Sequence, residues 1–209
     1  MTLPDGVTYH DFGDGDTLAT RGPPVYGEAT DGAWRAWEIH RSKLGTMLDR
    51  GTDTGLAAGD TILYLGAAAG TTVGHVADFA GPTYAVEFAP RPTQTLLEAA
   101  TPRTNLFPLL KDARRPETYA HVVEADVDAI IQDVATRGQA TVALRNRRFL
   151  ADDGRLVLAV KARSEDVTQA PETVFATVLE DLRDGYEILH TDRLDPVHDD
   201  HLAVVARPH

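Results

Sequence analysis

The sequence contains no cysteine, which excludes disulfide bonds, thiolate zinc sites and cysteine nucleophiles. It also has no apolar run that approaches the roughly 20 residues of a membrane span. The opening segment, MTLPDGVTYHDFGDGDT, is acidic and does not have the basic and then apolar layout of a signal peptide. Together these absences favour a cytoplasmic protein.

Positive charge is scarce as well, since 20 Lys and Arg residues stand against 32 Asp and Glu residues, for a formal net charge of −12. This balance disfavours free-standing binding to RNA or DNA, which normally requires a positive footprint. It fits adaptation to high salt, where repulsion between surface charges is screened within a few ångströms, and plain solubility is the other explanation. Any nucleic-acid partner has to be bound locally or be delivered by other proteins.

The 209 residues predict one main domain with a small appendage. Residues 1–33 are rich in Gly, Asp, Thr and Pro, and the extended pieces VTYH and TLATRG predict hairpins of a small N-terminal β unit. Residues 34–209 are predicted to form the main domain. It is expected to open on a helix, WRAWEIHRSKLGTMLDRG, that ends at Gly51 and has Trp34, Trp37, Leu44, Met47 and Leu48 roughly on one face.

Strand and helix patterns alternate after this helix. Several strands, such as VDAIIQDV and LVLAV, are continuous apolar runs, which is typical of parallel strands covered on both faces. The alternation predicts an α/β doubly wound sheet, and the last two strands, joined by a short acidic loop, predict a terminal antiparallel hairpin. The predicted strands are 61–66, 83–88, 105–110, 127–134, 155–161, 186–193 and 202–208, and the predicted helices are 71–80, 91–101, 116–124, 138–150 and 171–184.

A loop of small residues joins the first of these strands to its helix, in the segment TILYLGAAAGTTVGHVADFAGPTYAVEF. Ligands of such sheets bind outside the carboxyl ends of the strands. Gly66 permits a tight turn, Ala67 keeps the path free of bulk, and Thr71 and Thr72 offer a helix cap and hydroxyl groups. Glu87 ends the next strand, 21 residues after Gly66, which is about where a carboxylate binds a ribose diol.

Two more carboxylates follow later strands. Asp112 comes after the third strand, where it can accept an adenine amino group, and Asp133 ends the fourth. The loop lacks the G-x-G-x-x-G that usually binds the pyrophosphate of a nicotinamide cofactor, and the chain has no G-K-[ST] triphosphate loop. S-adenosylmethionine carries no phosphate and fits this set better. A tight strand–helix turn without a ligand is the alternative interpretation.

Six blocks of sequence, in order and with matching spacing, resemble the fibrillarin-like RNA 2′-O-methyltransferases in their archaeal form. The resemblance runs from about residue 30 to the end, and the N-terminal β unit also fits. It implies a seven-stranded sheet of the S-adenosylmethionine-dependent methyltransferase type that methylates ribose 2′-hydroxyls of ribosomal and transfer RNA. It also implies a box C/D guide ribonucleoprotein with a Nop-family scaffold protein, a kink-turn-binding ribosomal-type protein and a guide RNA. The blocks are WRAWEIHRSKLGTML, LYLGAAAGTTVGHVADFAGPTYAVEF, DARRPETYA, DVDAIIQDVA, LVLAVKA and DDHLAVV.

The resemblance extends to the site residues. With the loop residues Gly66 and Ala67, the predicted cofactor contacts are Thr71, Thr72, Glu87, Phe88, Asp112, Ala113, Asp133, Val134, Ala135 and Thr136. The family usually has Gln at the position of Thr136, so either Thr136 or Gln139 supplies that contact.

The family's catalytic constellation maps by resemblance onto Lys43, Asp133, Lys161 and His201. Our hypothesis is that Asp133 keeps Lys161 charged, because an adjacent carboxylate favours the ammonium. That cation then stabilises the developing alkoxide. Lys43 or His201 orients the hydroxyl or relays its proton, and the identity of the proton acceptor stays open.

Basic residues cluster in two segments that we expect to line a groove for a guide–target duplex; ordinary helix charge is the alternative. We therefore expect weak RNA affinity for the isolated protein, with recruitment by partners supplying the rest. Two other functions are left open: a structural subunit with little activity, and a nicotinamide-dependent oxidoreductase, which the missing glycines disfavour. The groove residues are Arg35, His40, Arg41 and Lys43 in the first segment and Arg137, Arg145, Arg147 and Arg148 in the second.

Overall fold

The computed structural model describes residues 3–13, 15–123 and 126–209 of the chain. The strands of the N-terminal part are β1 (Val7–Asp11), β2 (Asp16–Arg21), β3 (Thr30–Asp31) and β4 (Trp34–Ala36). They form a small antiparallel sheet in the order β1-β2-β4-β3, as the hairpin signals predict. This sheet extends to Ala36, and the division of the chain between residues 33 and 34 stays a prediction.

The main sheet has seven strands in the order β10-β11-β9-β8-β5-β6-β7 within the described residues. Strands β5 to β9 pair in parallel, whereas β11 is antiparallel to both β9 and β10. The predicted α/β sheet with a terminal hairpin is therefore confirmed. The strands are β5 (Ile62–Leu65), β6 (Thr83–Glu87), β7 (Leu106–Leu110), β8 (Val127–Gln132), β9 (Leu150–Lys161), β10 (Tyr186–Arg193) and β11 (His201–Pro208).

Helices cover both faces of the main sheet, which explains the continuous apolar strands. All four residues of β5 are buried; Leu63 and Leu65 belong to the core on one face, and Ile62 and Tyr64 to the core on the other. None of the helices in the described ranges is long and apolar enough to cross a membrane. The helices are α1 (Lys43–Asp49), α2 (Thr71–Phe79), α3 (Pro90–Ala100), α4 (Gln139–Asn146), α5 (Ala162–Glu165) and α6 (Pro171–Leu182).

The first helix is shorter than predicted. Its expected start at Trp34 is wrong, because residues up to Ala36 form β4 and the helix begins only at Lys43. Ser42 has an extended backbone with a φ of −143°, and its Oγ accepts a hydrogen bond from the N–H of Gly45 at 2.9 Å. This side-chain cap fixes the start of α1, so the apolar spacing further upstream belongs to a strand and a turn.

The predicted helix over 116–124 is also wrong as far as the structure describes it, since only Pro116–Thr118 forms a turn of 3₁₀ helix; residue 124 lies outside the described residues. Tyr119, next in the chain, is fully buried, and its hydroxyl binds Asn146 of α4. Side-chain contacts rather than a helical ladder therefore hold this segment. Strand β9 begins at Leu150, five residues before its predicted start.

Buried ion pairs join the N-terminal sheet to α2. Arg35 of β4 is fully buried, pairs with Glu28, and donates from Nε to Oδ2 of Asp78 at 2.7 Å. The hydroxyl of Thr20 donates to the same carboxylate oxygen at 2.7 Å. Arg103 contacts the other oxygen of Asp78 at 3.1 Å. Asp78 therefore neutralises two guanidinium groups that have little access to water.

We expect Asp78→Ala to lower the free energy of unfolding by about 3–5 kcal/mol, because it leaves two buried cations without their shared anion. Chemical denaturation at fixed salt measures the change. The control is Asp31→Ala, since Asp31 is exposed and its ion pair with His10 is a surface contact worth about 0–1 kcal/mol. Equal losses in the two variants would contradict this role for Asp78.

Candidate functional site

A cavity of about 300 Å³ opens at the carboxyl ends of β5, β6, β7 and β8. Its volume is within the range of small-molecule sites, and its position is the one expected for a ligand of this kind of sheet. Nine of the twelve predicted cofactor residues line it: Gly66, Glu87, Phe88, Asp112, Ala113, Asp133, Val134, Ala135 and Thr136.

The glycine loop runs close to the end of β8. Gly66 has a φ of +87°, and a Cβ at this position would lie 2.5 Å from the carbonyl oxygen of Asp133. The N–H groups of Gly66 and Ala67 donate to the carbonyl of Val86 at 2.9 and 3.1 Å. Only glycine permits both the backbone angle and the close approach, so the loop can bring its backbone to the cavity wall.

Glu87 ties this loop to the loop after β6. Its Oε2 accepts from the N–H of Ala68 at 2.9 Å, and its Oε1 accepts from the N–H of Ala89 at 2.8 Å. Ala68 has a left-handed backbone with a φ of +48°, which this contact helps to hold. Glu87 is buried, with 7 % of the residue exposed, and its carboxylate still has lone pairs for a ligand diol.

Asp112 lies at the cavity with its carboxylate already paired. The guanidinium of Arg114 contacts it from Nε to Oδ1 at 2.9 Å and from Nη2 to Oδ2 at 2.7 Å. These hydrogen bonds hold the pKa of Asp112 below its usual value. Asp112 is therefore ionised at neutral pH, and a ligand amino group would share its oxygens with Arg114, another residue of the cavity wall.

Three predicted cofactor contacts, Ala67, Thr71 and Thr72, do not line this cavity. Thr71 is the first residue of α2, and Thr72 is 8 % exposed and donates its hydroxyl to Oγ of Ser42 at 3.1 Å. Thr72 thereby connects α2 to the cap of α1. A role of these three residues in cofactor binding stays a prediction.

The two candidates for the family's Gln contact differ in position, since Thr136 lines the cavity and Gln139 does not. Gln139 is fully buried, and its side-chain amide binds the backbone of Lys161. Thr136 is thus the better placed of the two, and its role as the cofactor contact stays a prediction.

Two lysines converge on one carboxylate beside the cavity. Lys161 Nζ, at the end of β9, lies 2.8 Å from Asp133 Oδ1, and Lys43 Nζ, at the start of α1, lies 3.4 Å from Oδ2. Asp133 follows the last residue of β8, so the parallel pairing of β8 with β9 brings the first pair together. The structure therefore unites three residues that are far apart in the sequence.

Burial by itself would raise the pKa of Asp133, but Lys161 and Lys43 outweigh it and hold the pKa below its ordinary value. A carboxylate whose pKa is depressed by folding contributes its stability in full above an unfolded value of about 4. That contribution is lost as the pH falls through the folded-state pKa. The ion pairs are therefore intact at neutral pH.

His201 joins this cluster through the antiparallel strand, because β11 places it directly opposite Lys161. Its Nδ1 lies 2.6 Å from the carbonyl oxygen of Asp199. A carbonyl only accepts, so the neutral ring carries its proton on Nδ1 and has a lone pair at Nε2. Burial, together with Lys43 and Lys161, lowers the pKa of His201 despite that hydrogen bond, which makes the neutral ring the form at pH 7.

All three lysines of the chain belong to this region, in contrast to its seventeen arginines. Lys111 and Lys161 line the cavity, and Lys43 contacts Asp133 in its wall. Sequence reasoning did not identify Lys111, although the rarity of lysine was a usable signal. It also missed Arg114 and Val142, which reach the cavity from a loop and a helix whose packing only the fold determines.

The predicted basic groove is only partly assembled. Arg35 is wrong as a groove residue, because it is fully buried between Glu28 and Asp78. Arg147 donates a hydrogen bond to the carbonyl of His209. His209 follows the last residue of β11, whereas His201 is the first residue of that strand, so the two lie at opposite ends of β11. His40 and Arg41 are exposed and close in sequence to Lys43. Arg137, Arg145 and Arg148 of the second segment are exposed as well. Arg137 follows Thr136 of the cavity wall, and Arg145 donates to the carbonyl of Arg114, so both predicted segments place exposed cations near the cavity.

Comparisons with known proteins agree with this geometry. A sequence profile of the Fibrillarin family matches residues 5–209. The "Fibrillarin-like rRNA/tRNA 2'-O-methyltransferase" of Haloarcula marismortui is 68 % identical over 208 residues, which is 100 % of this chain and 99 % of the relative.

Two solved structures are similar over almost the whole chain. Aeropyrum pernix fibrillarin in complex with natively bound S-adenosyl-L-methionine has a TM-score of 0.84 and 41 % identity, covering 99 % of this chain and 96 % of its own. A chain from a fibrillarin/Nop5p complex has a TM-score of 0.91 and 38 % identity, with 100 % of both chains covered.

Proposed function

Since the chain belongs to the fibrillarin family, we propose that it transfers a methyl group from S-adenosylmethionine to ribose 2′-hydroxyls of pre-ribosomal and transfer RNA. We further propose that it acts in the cytoplasm as the catalytic subunit of a box C/D guide ribonucleoprotein. The names of its relatives support the reaction and the substrate class. The cavity and its lysine–aspartate cluster support the chemistry.

The cavity residues fit S-adenosylmethionine by their chemistry. Glu87 offers a buried carboxylate to a ribose diol, and ionised Asp112 offers an acceptor to an adenine amino group. Phe88, Val134 and Val142 supply apolar surface for a base. The likeness to the A. pernix protein that binds this cofactor natively is a second support.

The observation that carries the proposal is the pairing of Asp133 with Lys161 and Lys43 at the cavity wall. When bound, the cofactor supplies an electrophilic methyl group on a sulfonium. As the oxygen–methyl bond forms and the sulfur–methyl bond breaks, the ribose hydroxyl loses its proton and the sulfonium becomes a neutral thioether. The chain therefore has to align the hydroxyl, stabilise negative charge on its oxygen and receive a proton.

The cluster can divide these tasks. Asp133 fixes the position of the Lys161 ammonium, which stabilises the developing alkoxide. Lys43 shares the same carboxylate and orients the hydroxyl from the other side. His201 is neutral at pH 7 and has a lone pair at Nε2, so among these residues it is the proposed proton acceptor.

The rate of methyl transfer should fall as the pH drops, with a midpoint below about 6.5, because protonation fills the lone pair of His201 and its pKa is lowered from that ordinary value. Asp133 stays ionised over this range because its own pKa is depressed. Single-turnover rates at constant high salt measure the profile. His201→Gln should be slower by about tenfold or more and should lose this acid limb. An unchanged acid limb in His201→Gln would assign the proton to another group.

The proposed partners account for the acidic surface. With a net charge of −12, the isolated chain is not expected to bind RNA tightly. A Nop-family scaffold protein, a kink-turn-binding protein and the guide RNA would present the target, and guide pairing would select the nucleotide. The similarity to a fibrillarin crystallised with Nop5p supports the scaffold.

The decisive experiment is reconstitution at high salt with the scaffold, the kink-turn protein and a guide RNA. Mass spectrometry of the target should detect one added methyl group at the paired ribose, and a 2′-deoxy target at that position should remain unmodified. Methylation on a base, or no cofactor binding by calorimetry, would refute the proposed reaction.

A further inference from the structure

Strand β9 extends beyond its parallel neighbour at the edge of the site. Its register with β8 ends at Gln132 opposite Leu158, so β9 continues for three residues to Lys161 without β8 beside it. The N–H of Ala162 donates to Asp200 on the side of β11. Because neighbouring residues of a strand direct their peptide groups to opposite sides, the N–H and C=O of Lys161 point to the side that β8 no longer covers.

The side chain of Gln139 occupies that side. Its Oε1 accepts from the N–H of Lys161 at 2.9 Å, and its Nε2 donates to the C=O of Lys161 at 3.0 Å. Gln139 is the first residue of α4, is fully buried and does not line the cavity. One side-chain amide thus binds both the N–H and the C=O of Lys161, as the backbone of a neighbouring strand would.

Two further residues hold this glutamine in place. The carboxylate of Glu165 accepts from the N–H of Gln139 at 3.0 Å and from its Nε2 at 3.0 Å. Gln132, which immediately precedes Asp133, donates from Nε2 to the carbonyl of Gln139 at 2.8 Å. Gln139 is therefore connected to Lys161 directly and to Asp133 through its neighbour Gln132. Lys161 and Asp133 form the ion pair at the cavity.

We propose that Gln139 is a positioning residue for methyl transfer, which fixes the backbone of Lys161 so that its ammonium meets Asp133 and the ribose oxygen. The inference rests on the proposed function. In this inference Gln139 does not contact the cofactor; it helps to align the reacting groups. A misplacement of about 1 Å in such an alignment can lower the rate about 100-fold.

The test is Gln139→Met, which keeps the length of the side chain and removes its amide. In the reconstituted particle at saturating cofactor, kcat should fall by about ten- to 100-fold. The dissociation constant of S-adenosylmethionine, measured by calorimetry on the isolated chain, should change by less than about threefold, because Gln139 is outside the cavity. Hydrogen exchange at the amide of Lys161 should become faster.

The matched control is Asn105→Leu. Asn105 precedes β7 at the opposite end of the sheet, and its side-chain amide donates to the backbone carbonyls of Ala77, Ala80 and Gly81. This variant should lose stability but keep kcat and the exchange rate of Lys161. Should Gln139→Met fail to fold, Gln139→Glu, which keeps an acceptor for the N–H of Lys161 and loses both donors, replaces it.

An unchanged kcat in the Gln139 variant, or an equal fall of kcat in Asn105→Leu, would overturn the inference. A wild-type particle without activity would instead refute the proposed function. In that case the exchange of the Lys161 amide decides alone, and full protection of that amide in Gln139→Met would overturn the inference that Gln139 fixes the backbone of Lys161.

Discussion

Replacing Lys161 with methionine or alanine is expected to lower methyl transfer by about 10²–10³-fold, to near the background rate, while cofactor binding changes by less than about fivefold. Lys161 Nζ is 2.8 Å from Asp133 and is the cation that the ion pair fixes beside the cavity. Its loss removes the charge that would stabilise the alkoxide. Asp133 keeps a partner in Lys43, at 3.4 Å, so the cavity should stay formed.

Single-turnover transfer in the reconstituted particle and calorimetry with the cofactor measure the two effects. Lys161→Met is the sharper variant because it preserves most of the side-chain volume. Arg183→Ala serves as the control for loss of a positive charge, since Arg183 is exposed and pairs only with Glu180 among acidic groups of the described chain. Transfer by Lys161→Met at a rate within about tenfold of wild type would remove Lys161 from the catalytic set.

Glu87→Ala is expected to weaken binding of S-adenosylmethionine by about 100-fold, equivalent to about 2.7 kcal/mol. The substitution removes the carboxylate that would bind the ribose diol, and the N–H groups of Ala68 and Ala89 lose their acceptors. A hydrogen bond to a charged group is worth about 1.5–3 kcal/mol, so one lost ligand contact and a loosened loop account for an effect of this size.

Calorimetry on the isolated chain gives the dissociation constant, and thermal unfolding without ligand separates a loosened loop from a misfolded protein. Glu87→Gln, which keeps one acceptor oxygen, should lie between wild type and Glu87→Ala. Glu98→Ala, an exposed acid on α3, should bind the cofactor as wild type does. Binding by Glu87→Ala within about threefold of wild type would place the cofactor ribose elsewhere.

The main sheet was predictable because its strands are buried on both faces. A run such as Ile62–Leu65 has no charged residue to place in water, and the polar residues that end these strands mark the edge where a ligand binds. Glu87, Asp112 and Asp133 were identified in this way. The position of a carboxylate after an apolar strand is a local property of the sequence. It can therefore be predicted without knowledge of the packing.

The errors arise where a distant contact decides the local structure. The spacing of Trp34 and Trp37 suggests a helix, but the pairing of β4 with β2 and the burial of Arg35 make this segment extended. Likewise, Gln139 was considered only as a ligand contact. Its hydrogen bonds to Lys161 depend on how far β9 extends beyond the end of β8. The pattern of a single sequence does not predict the relative lengths of two paired strands.

The confinement of lysine to one edge of the sheet has a practical consequence. Apart from the amino terminus of the chain, every primary amine lies at or beside the cavity, so acylating reagents would footprint that region selectively, and a bound ligand would shield it. Because cysteine is absent, a thiol introduced at a remote position would be unique. Amine and thiol coupling are therefore orthogonal in this molecule, and a fluorophore can report on docking of a partner while the reactive edge stays unlabelled.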